Sequence, residues 1–207
     1  MDNLIYMLFV SIFVPILLMA CLVEKKARQP IIFVLIGIFL SVFASEVNGY
    51  LCSVLPMSIF EITVVVTPIS EEILKALPIL FFAIVLVPKK EALFTASMAV
   101  GIGFAVLENA FYLLNNSSFN MVDAIVRAFG AGLMHGMCTL LVGVGILFVK
   151  KKKKLFVVGT FAMLSTAITY HGIYNMLVQS DFSIIGYLLP ISTYIPFVVW
   201  RIKKKRK

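Results

Sequence analysis

Apolar residues run through this chain in seven long stretches, at 4–23, 30–55, 62–87, 92–114, 121–149, 155–178 and 183–200, and short polar or charged turns separate them. A bilayer core of about 30 Å takes roughly 20 residues of helix to cross. Each stretch is long enough to span, or nearly so. Residues 56–69 stay apolar apart from Glu61 and lead into the third stretch through a break expected at Thr67-Pro68. Backbone groups in lipid must be satisfied within the segment, so the pattern predicts an all-α, polytopic transmembrane helix bundle of about seven spans. No internal repeat, linker or second domain interrupts it, which makes residues 1–207 a single integral membrane domain.

Composition agrees. Hydrophobic residues make up 61% of the 207 and the mean hydropathy is +1.05, whereas soluble domains carry about 45–50% apolar residues. The net charge of +8 raises nucleic acid as a partner, but the basic residues stand in short clusters at the ends of apolar runs, where they anchor topology. Three follow the first span, two the third, five the fifth (150–154) and six the seventh; together they account for sixteen of the eighteen Lys and Arg residues. Excess positive charge marks cytoplasmic loops. The N-terminus is therefore expected outside and the C-terminus in the cytoplasm, in a multi-pass protein of the cell (plasma) membrane. Leu18-Met19-Ala20-Cys21 has the look of a lipoprotein signal, but Met1-Asp2-Asn3 is not a basic leader and the positive charges follow the span. Cys21, Cys52 and Cys138 are scattered singly and form no metal-spaced pair.

Lys75 and Arg127 are the two cations that anchoring leaves over. Lys75 lies in the run Ser70-Glu71-Glu72-Ile73-Leu74-Lys75, inside an apolar segment where an ionised group costs at least about 2.5–3.5 kcal/mol. On a helix Lys75 is one turn from both Glu71 and Glu72, so it pairs with one and leaves the other for chemistry. The plainer alternative is a helix start after Thr67-Pro68, capped by Ser70 with two acids at its positive end. Counting about 1.5 Å per residue from the cytoplasmic end of each span puts Glu71, Glu72, Glu108 and His171 about 23–24 Å up and His135 about 21 Å up. Polar residues of four consecutive spans thus meet at one level, in the outer leaflet. His135 lies inside Gly132-x-x-x-Gly136, and Gly101-x-Gly103 precedes Glu108; both invite close helix approach. Asn175, one turn beyond His171, is placed to fix its ring or bind a substrate carbonyl. Arg127 is expected to snorkel at the outer interface, Cys138 to act as a small hydrophobe, and Glu46 is open between a site role and a packing role.

This constellation, Glu71-Glu72-x-x-Lys75, then Phe104-x-x-x-Glu108-Asn109, then one His in each of two later spans, resembles the PrsW family of intramembrane proteases. The match covers spans three to six, a motif-bearing core of about 62–178. His171-x-x-x-Asn175 is also similar to the wider group of CAAX-processing type II endopeptidases, from which Lys75 and Glu108 depart. The resemblance implies a protease that cuts a membrane-anchored protein, typically an anti-sigma factor, at the start of a signalling cascade. It implies catalytic roles for Glu71, Glu72, Glu108, His135 and His171, with Lys75, Asn109 and Asn175 in support.

Two chemistries follow for water attack on a peptide carbonyl, both with a Glu of the 71–72 pair as general base. In one, Glu108, His135 and His171 form a three-ligand set for Zn2+ that leaves a fourth position for water. In the other no metal is present and the histidines stabilise the oxyanion; no His-Glu-x-x-His helix decides between them. The rival function is a proton-coupled transporter using the Glu/His cluster as a relay.

Overall fold

The computed structural model describes residues 2–115, 121–147 and 153–205. Among them the chain is helical with short turns and no strand: α1 (Asp2–Leu22), α2 (Lys25–Val54), α3 (Ile59–Glu61), a π-helical stretch (Ile62–Val66), α4 (Thr67–Val85), α5 (Lys90–Asn115), α6 (Met121–Leu147), α7 (Lys153–Val178) and α8 (Ser183–Lys205). Helices stand where the seven apolar stretches predict them. Leu4–Leu22, Ala27–Val54, Lys90–Asn115 and Met121–Leu147 are long and apolar enough to cross a membrane. The expected loop at 116–118 and the first three lysines of the 150–154 run lie outside the described residues.

One boundary differs from expectation, and it governs the site. The chain does not break at Thr67-Pro68 and restart at Ser70. The helix begins at Ser58, which forms a capping box with Glu61: Ser58 Oγ accepts from the Glu61 N–H at 3.2 Å, and Glu61 Oε2 accepts from the Ser58 N–H at 2.8 Å. It then runs through the π-helical turn straight into α4. Pro68 supplies no N–H, and it is tolerated because the bonds around it are rerouted: the Thr67 N–H reaches back five residues to the Ile62 carbonyl, and the carbonyl left free near Pro68 finds another partner. That partner is Asn175 on α7, whose Nδ2 donates to the Thr63 carbonyl at 3.0 Å.

Helix α5 lies between α2 and α6, and its small residues set the spacing. A Cβ on Gly101 would run into the His135 carbonyl of α6, and one on Gly103 into the Val34 carbonyl of α2. Of the Gly132/Gly136 pair only Gly136 lies at this contact, its Cα 2.8 Å from where a Cβ on Gly101 would stand, although a Cβ on Gly136 itself would make only ordinary contact with the Ile102 side chain. Gly132 faces open space. Behind the polar groups the bundle closes on an apolar cluster that includes Phe33, Ile79, Phe82, Leu93, Val100 and Met134. On the far side α8 joins α7 through a 2.8 Å hydrogen bond between Tyr170 Oη and Thr193 Oγ1.

Gly101→Val should therefore push α5 from α6 and cost about 1–3 kcal/mol, read as a fall in the thermal unfolding midpoint in detergent. Gly132→Ala should be tolerated or stabilising, since a helical Gly costs up to about 1 kcal/mol relative to Ala. Equal sensitivity at the two positions would contradict this packing.

Candidate active site

Helix α4 delivers three ionisable groups to the bundle interior. Glu72 and Lys75, three residues apart, share a face and are fully buried, with Lys75 Nζ 2.6 Å from Glu72 Oε1. Glu71 is turned about 100° from Glu72 on the helix wheel and points toward α2, where Asn48 Nδ2 donates to its Oε1 at 3.2 Å.

Hydrogen-bond direction fixes the two histidines. Ammonium can only donate, so Lys75 Nζ, 2.7 Å from His135 Nδ1, makes that nitrogen the acceptor. His135 Nε2 then carries the ring proton and donates to Glu108 Oε2 at 2.5 Å. His171 is the reverse. Its Nδ1 lies 2.8 Å from Glu72 Oε1, a carboxylate that accepts, so Nδ1 bears the proton and Nε2 presents its lone pair. That Nε2 faces Glu71 Oε2 across 3.9 Å. The two rings stand edge to face with centroids 4.9 Å apart, and Phe104 offers its ring to Lys75 Nζ at 4.5 Å.

Glu71 and Glu108 line a cavity of about 420 Å³. Ser41, Ser45 and Asn48 of α2 supply one wall, and Thr63, Thr67 and Asn175 contribute hydroxyls and an amide on the other side. Glu71 Oε2 is buried with no hydrogen-bond partner among the described residues.

The structure brings Glu71, Glu72, Lys75, Glu108, His135 and His171 into one connected cluster. Asn175 holds the Thr63 backbone rather than the His171 ring. Asn109 Oδ1 is buried without a hydrogen-bond partner among the described residues, and no hydrogen bond there ties it to the cluster. Arg127 does not snorkel: its buried guanidinium lies 3.7 Å over the Tyr112 ring and 3.5 Å from Glu108 Oε1. Glu46 is outside the cluster and accepts from Tyr6 Oη at 2.6 Å, a tie between α2 and α1. Cys138 is buried against the Ala167 carbonyl. Sequence reading assigned no site role to Asn48 or Tyr112 and took Ser70 only as a helix cap, although Ser41, Ser45 and Asn48 recur at one-turn spacing as a polar stripe on an apolar helix.

The compact His/carboxylate group is Glu71, His135 and His171, whose ligand atoms lie within 4.8 Å of one another. It differs in one member from the set expected from sequence, because Glu108 sits behind His135, engaged by its Nε2 and by Arg127. Of these donors His171 Nε2 is the one with a lone pair free for a metal, and Glu72 backs His171 as carboxylates commonly back metal-bound imidazoles. Both ring nitrogens of His135 are engaged, by Lys75 and by Glu108.

A helical bundle with a hydrophilic Glu/His cluster and a cavity inside its apolar exterior is the setting that hydrolysis within a membrane requires. The chain belongs to the PrsW family of intramembrane metalloproteases, whose family model matches residues 25–201. It is thus a membrane-embedded protease and a multi-pass membrane protein, which sets the transporter reading aside. No curated protein and no solved structure matches it.

Lys75→Met should leave Glu72 buried without its cation and free the His135 tautomer. Breaking a buried pair on one side costs about 3–5 kcal/mol. The variant should show a sharply lowered unfolding midpoint or fail to accumulate, while Lys89→Met, in the turn before α5, should behave as wild type.

Proposed function

We propose that this protease hydrolyses a peptide bond of a membrane-anchored protein, such as an anti-sigma factor, with Glu71 as the general base. The observation that carries the assignment is the unbonded Glu71 Oε2 facing His171 Nε2 beside the cavity. Glu72, whose Oε2 is likewise buried and unbonded among the described residues, is the poorer candidate, since Lys75 and His171 occupy its Oε1 and it does not line the cavity.

In this reading a cavity water sits between Glu71 and the substrate carbonyl. Glu71 takes the proton as the oxygen attacks, then passes it to the leaving amide nitrogen. The Lys75–Glu72 pair keeps His171 oriented, with its proton on Nδ1. His171 Nε2 is a lone pair at this stage, so it offers no hydrogen to an oxyanion; that favours a Lewis acid at this position over the metal-free scheme. His171, together with His135, would hold a zinc-type ion beside Glu71, whose Oε2 stays free as the base; when bound, such an ion would supply carbonyl polarisation and a more acidic water. For His135 to join, its Nε2 must release the proton now shared with Glu108.

We further place the protein across the plasma membrane in seven spans, with the N-terminus outside, the tail in the cytoplasm and the cluster in the outer leaflet. The support is the basic residues after the first, third, fifth and seventh spans.

A single-span reporter tagged on both sides of its membrane segment tests the base. Glu71→Gln should leave it uncut while the variant inserts and accumulates normally, and intact cleavage would end the assignment. For the metal, purified protein should hold about one zinc-type ion, as a single catalytic centre requires, and His171→Ala should lose metal and cleavage together. Cleavage that persists in chelated, metal-free protein would decide for the alternative scheme. Tags after Lys207 and at 116–118 should read cytoplasmic and external respectively; the opposite result would overturn the orientation.

A further inference from the structure

We propose that Asn48 of α2 is a positioning residue for Glu71, with its amide oriented by Ser70. The proposal rests on Glu71 being the reacting carboxylate.

Two hydrogen bonds carry it, with the single hydroxyl hydrogen of Ser70 given to Asn48. Asn48 Nδ2 donates to Glu71 Oε1 at 3.2 Å, Ser70 Oγ donates to Asn48 Oδ1 at 2.5 Å, and Ser70 Oγ also lies 2.9 Å from the Thr67 carbonyl of its own helix. An amide can be turned either way on shape alone, so its orientation comes from its partners. Here both partners agree. Ionised Glu71 can only accept, which demands the NH2 group on its side, and the Ser70 hydroxyl has a hydrogen to give to the oxygen on the other. Asn48 therefore reads two consecutive residues of α4 from the neighbouring helix and locks the angle between α2 and α4 at the site.

The consequence falls on the second oxygen of Glu71. A carboxylate rotates about its last bond with little resistance, as terminal sp3–sp2 torsions are broad. Holding Oε1 on Asn48 leaves Oε2 directed at His171 Nε2, 3.9 Å away. Without that tether Glu71 would turn freely in the cavity that both Glu71 and Asn48 line, and small errors in the placement of a reacting group lower rates steeply. Asn48 acts through Glu71 and is not itself assigned a place at the reacting atoms.

Asn48→Asp tests this because it keeps the shape and replaces the donor by an acceptor. A hydrogen bond to a charged group is worth roughly a 10- to 100-fold change, so Asn48→Asp and Asn48→Ala should each lower kcat by about that factor in proteoliposomes with the single-span reporter. KM should stay within about twofold. Ser70→Ala should lose less than Asn48→Ala and add nothing to it in the double variant, whereas Ser70→Thr should retain activity. A second measurement needs no substrate. Asn48→Asp should lower the unfolding midpoint by facing two carboxylates, and Asn48→Asp with Glu71→Gln should recover most of the loss, because the carboxylate introduced on α2 would accept both from the amide introduced on α4 and from the Ser70 hydroxyl. Wild-type kcat in Asn48→Asp, additive losses with Ser70→Ala, or a double variant no more stable than Asn48→Asp alone would each overturn the proposal. Glu71→Gln alone separates the two readings: if it cuts normally, the base assignment fails whatever Asn48 does, while an inactive Glu71→Gln beside a fully active Asn48→Asp sinks only the role of Asn48. Should wild type leave the reporter uncut, the unfolding cycle still decides the contact.

Discussion

A fully buried ammonium is the constraint from which the rest of the site follows. Lys75 has no exposed surface, and removing an ion of that size from water costs several kcal/mol even after relaxation. Its two close partners, Glu72 at 2.6 Å and His135 at 2.7 Å, offset that cost, and in doing so they set opposite tautomers in the two histidines. One donor-only cation makes His135 Nδ1 an acceptor and sends its proton to Glu108. The carboxylate neutralising that cation makes His171 Nδ1 a donor and leaves Nε2 bare. Three carboxylates, Glu71, Glu72 and Glu108, face two cations, Lys75 and Arg127. Glu72 and Glu108 take the pairs. Glu71 is left over, beside the cavity and next to the bare imidazole nitrogen.

The same economy shapes the backbone that carries Glu71 and Glu72. Pro68 cannot donate, and in lipid a carbonyl without a partner is costly. The π-helical turn shifts the pattern of bonds, Asn175 fills the Thr63 carbonyl, and the missing side chain of Gly172 lets the Val64 carbonyl lie against α7, where a Cβ would come within 2.8 Å of it. An irregular turn is thus stapled to α7 one turn from His171. The distortion and the catalytic geometry are one feature: the staple sets the rotation of α4, and that rotation decides that Glu72 faces His171 Nδ1 and Glu71 faces Nε2.

Residue heights were legible in the sequence, and directions were not. Apolar length and basic clusters locate the helices, and counting along each axis brings Glu71, Glu72, Glu108, His135 and His171 to a common level, where the structure joins them. Counting says nothing about rotation around the axis. For that reason Glu108, at the right height, lies behind His135 while Glu71 joins the compact group. Arg127 turns inward to Glu108 and Tyr112 instead of outward to the interface, since a carboxylate and an aromatic face satisfy it better than lipid does. Thr67-Pro68 reads as a break because proline normally ends a helix; the compensating donor, Asn175, is more than a hundred positions away and invisible locally. Asn48 was hidden in the same way, one of a few polar residues on an apolar helix, with its partners on another.

Hydrolysis inside a membrane sets two further demands, and one cavity meets both. Water must be present, and a volume of about 420 Å³ has room for on the order of ten molecules at liquid density. A substrate segment must also unwind to expose its peptide bond, and every N–H and C=O released from its helix then needs a partner where lipid offers none. Ser41, Ser45, Asn48, Thr63, Thr67 and Asn175 line the cavity with groups that both donate and accept. The polar stripe on α2 that orients Glu71 through Asn48 therefore continues, through Ser45 and Ser41, as a surface able to receive an extended backbone. On the proposed reading base and substrate would be held by neighbouring turns of one helix, so a shift of α2 against α4 would misplace both together.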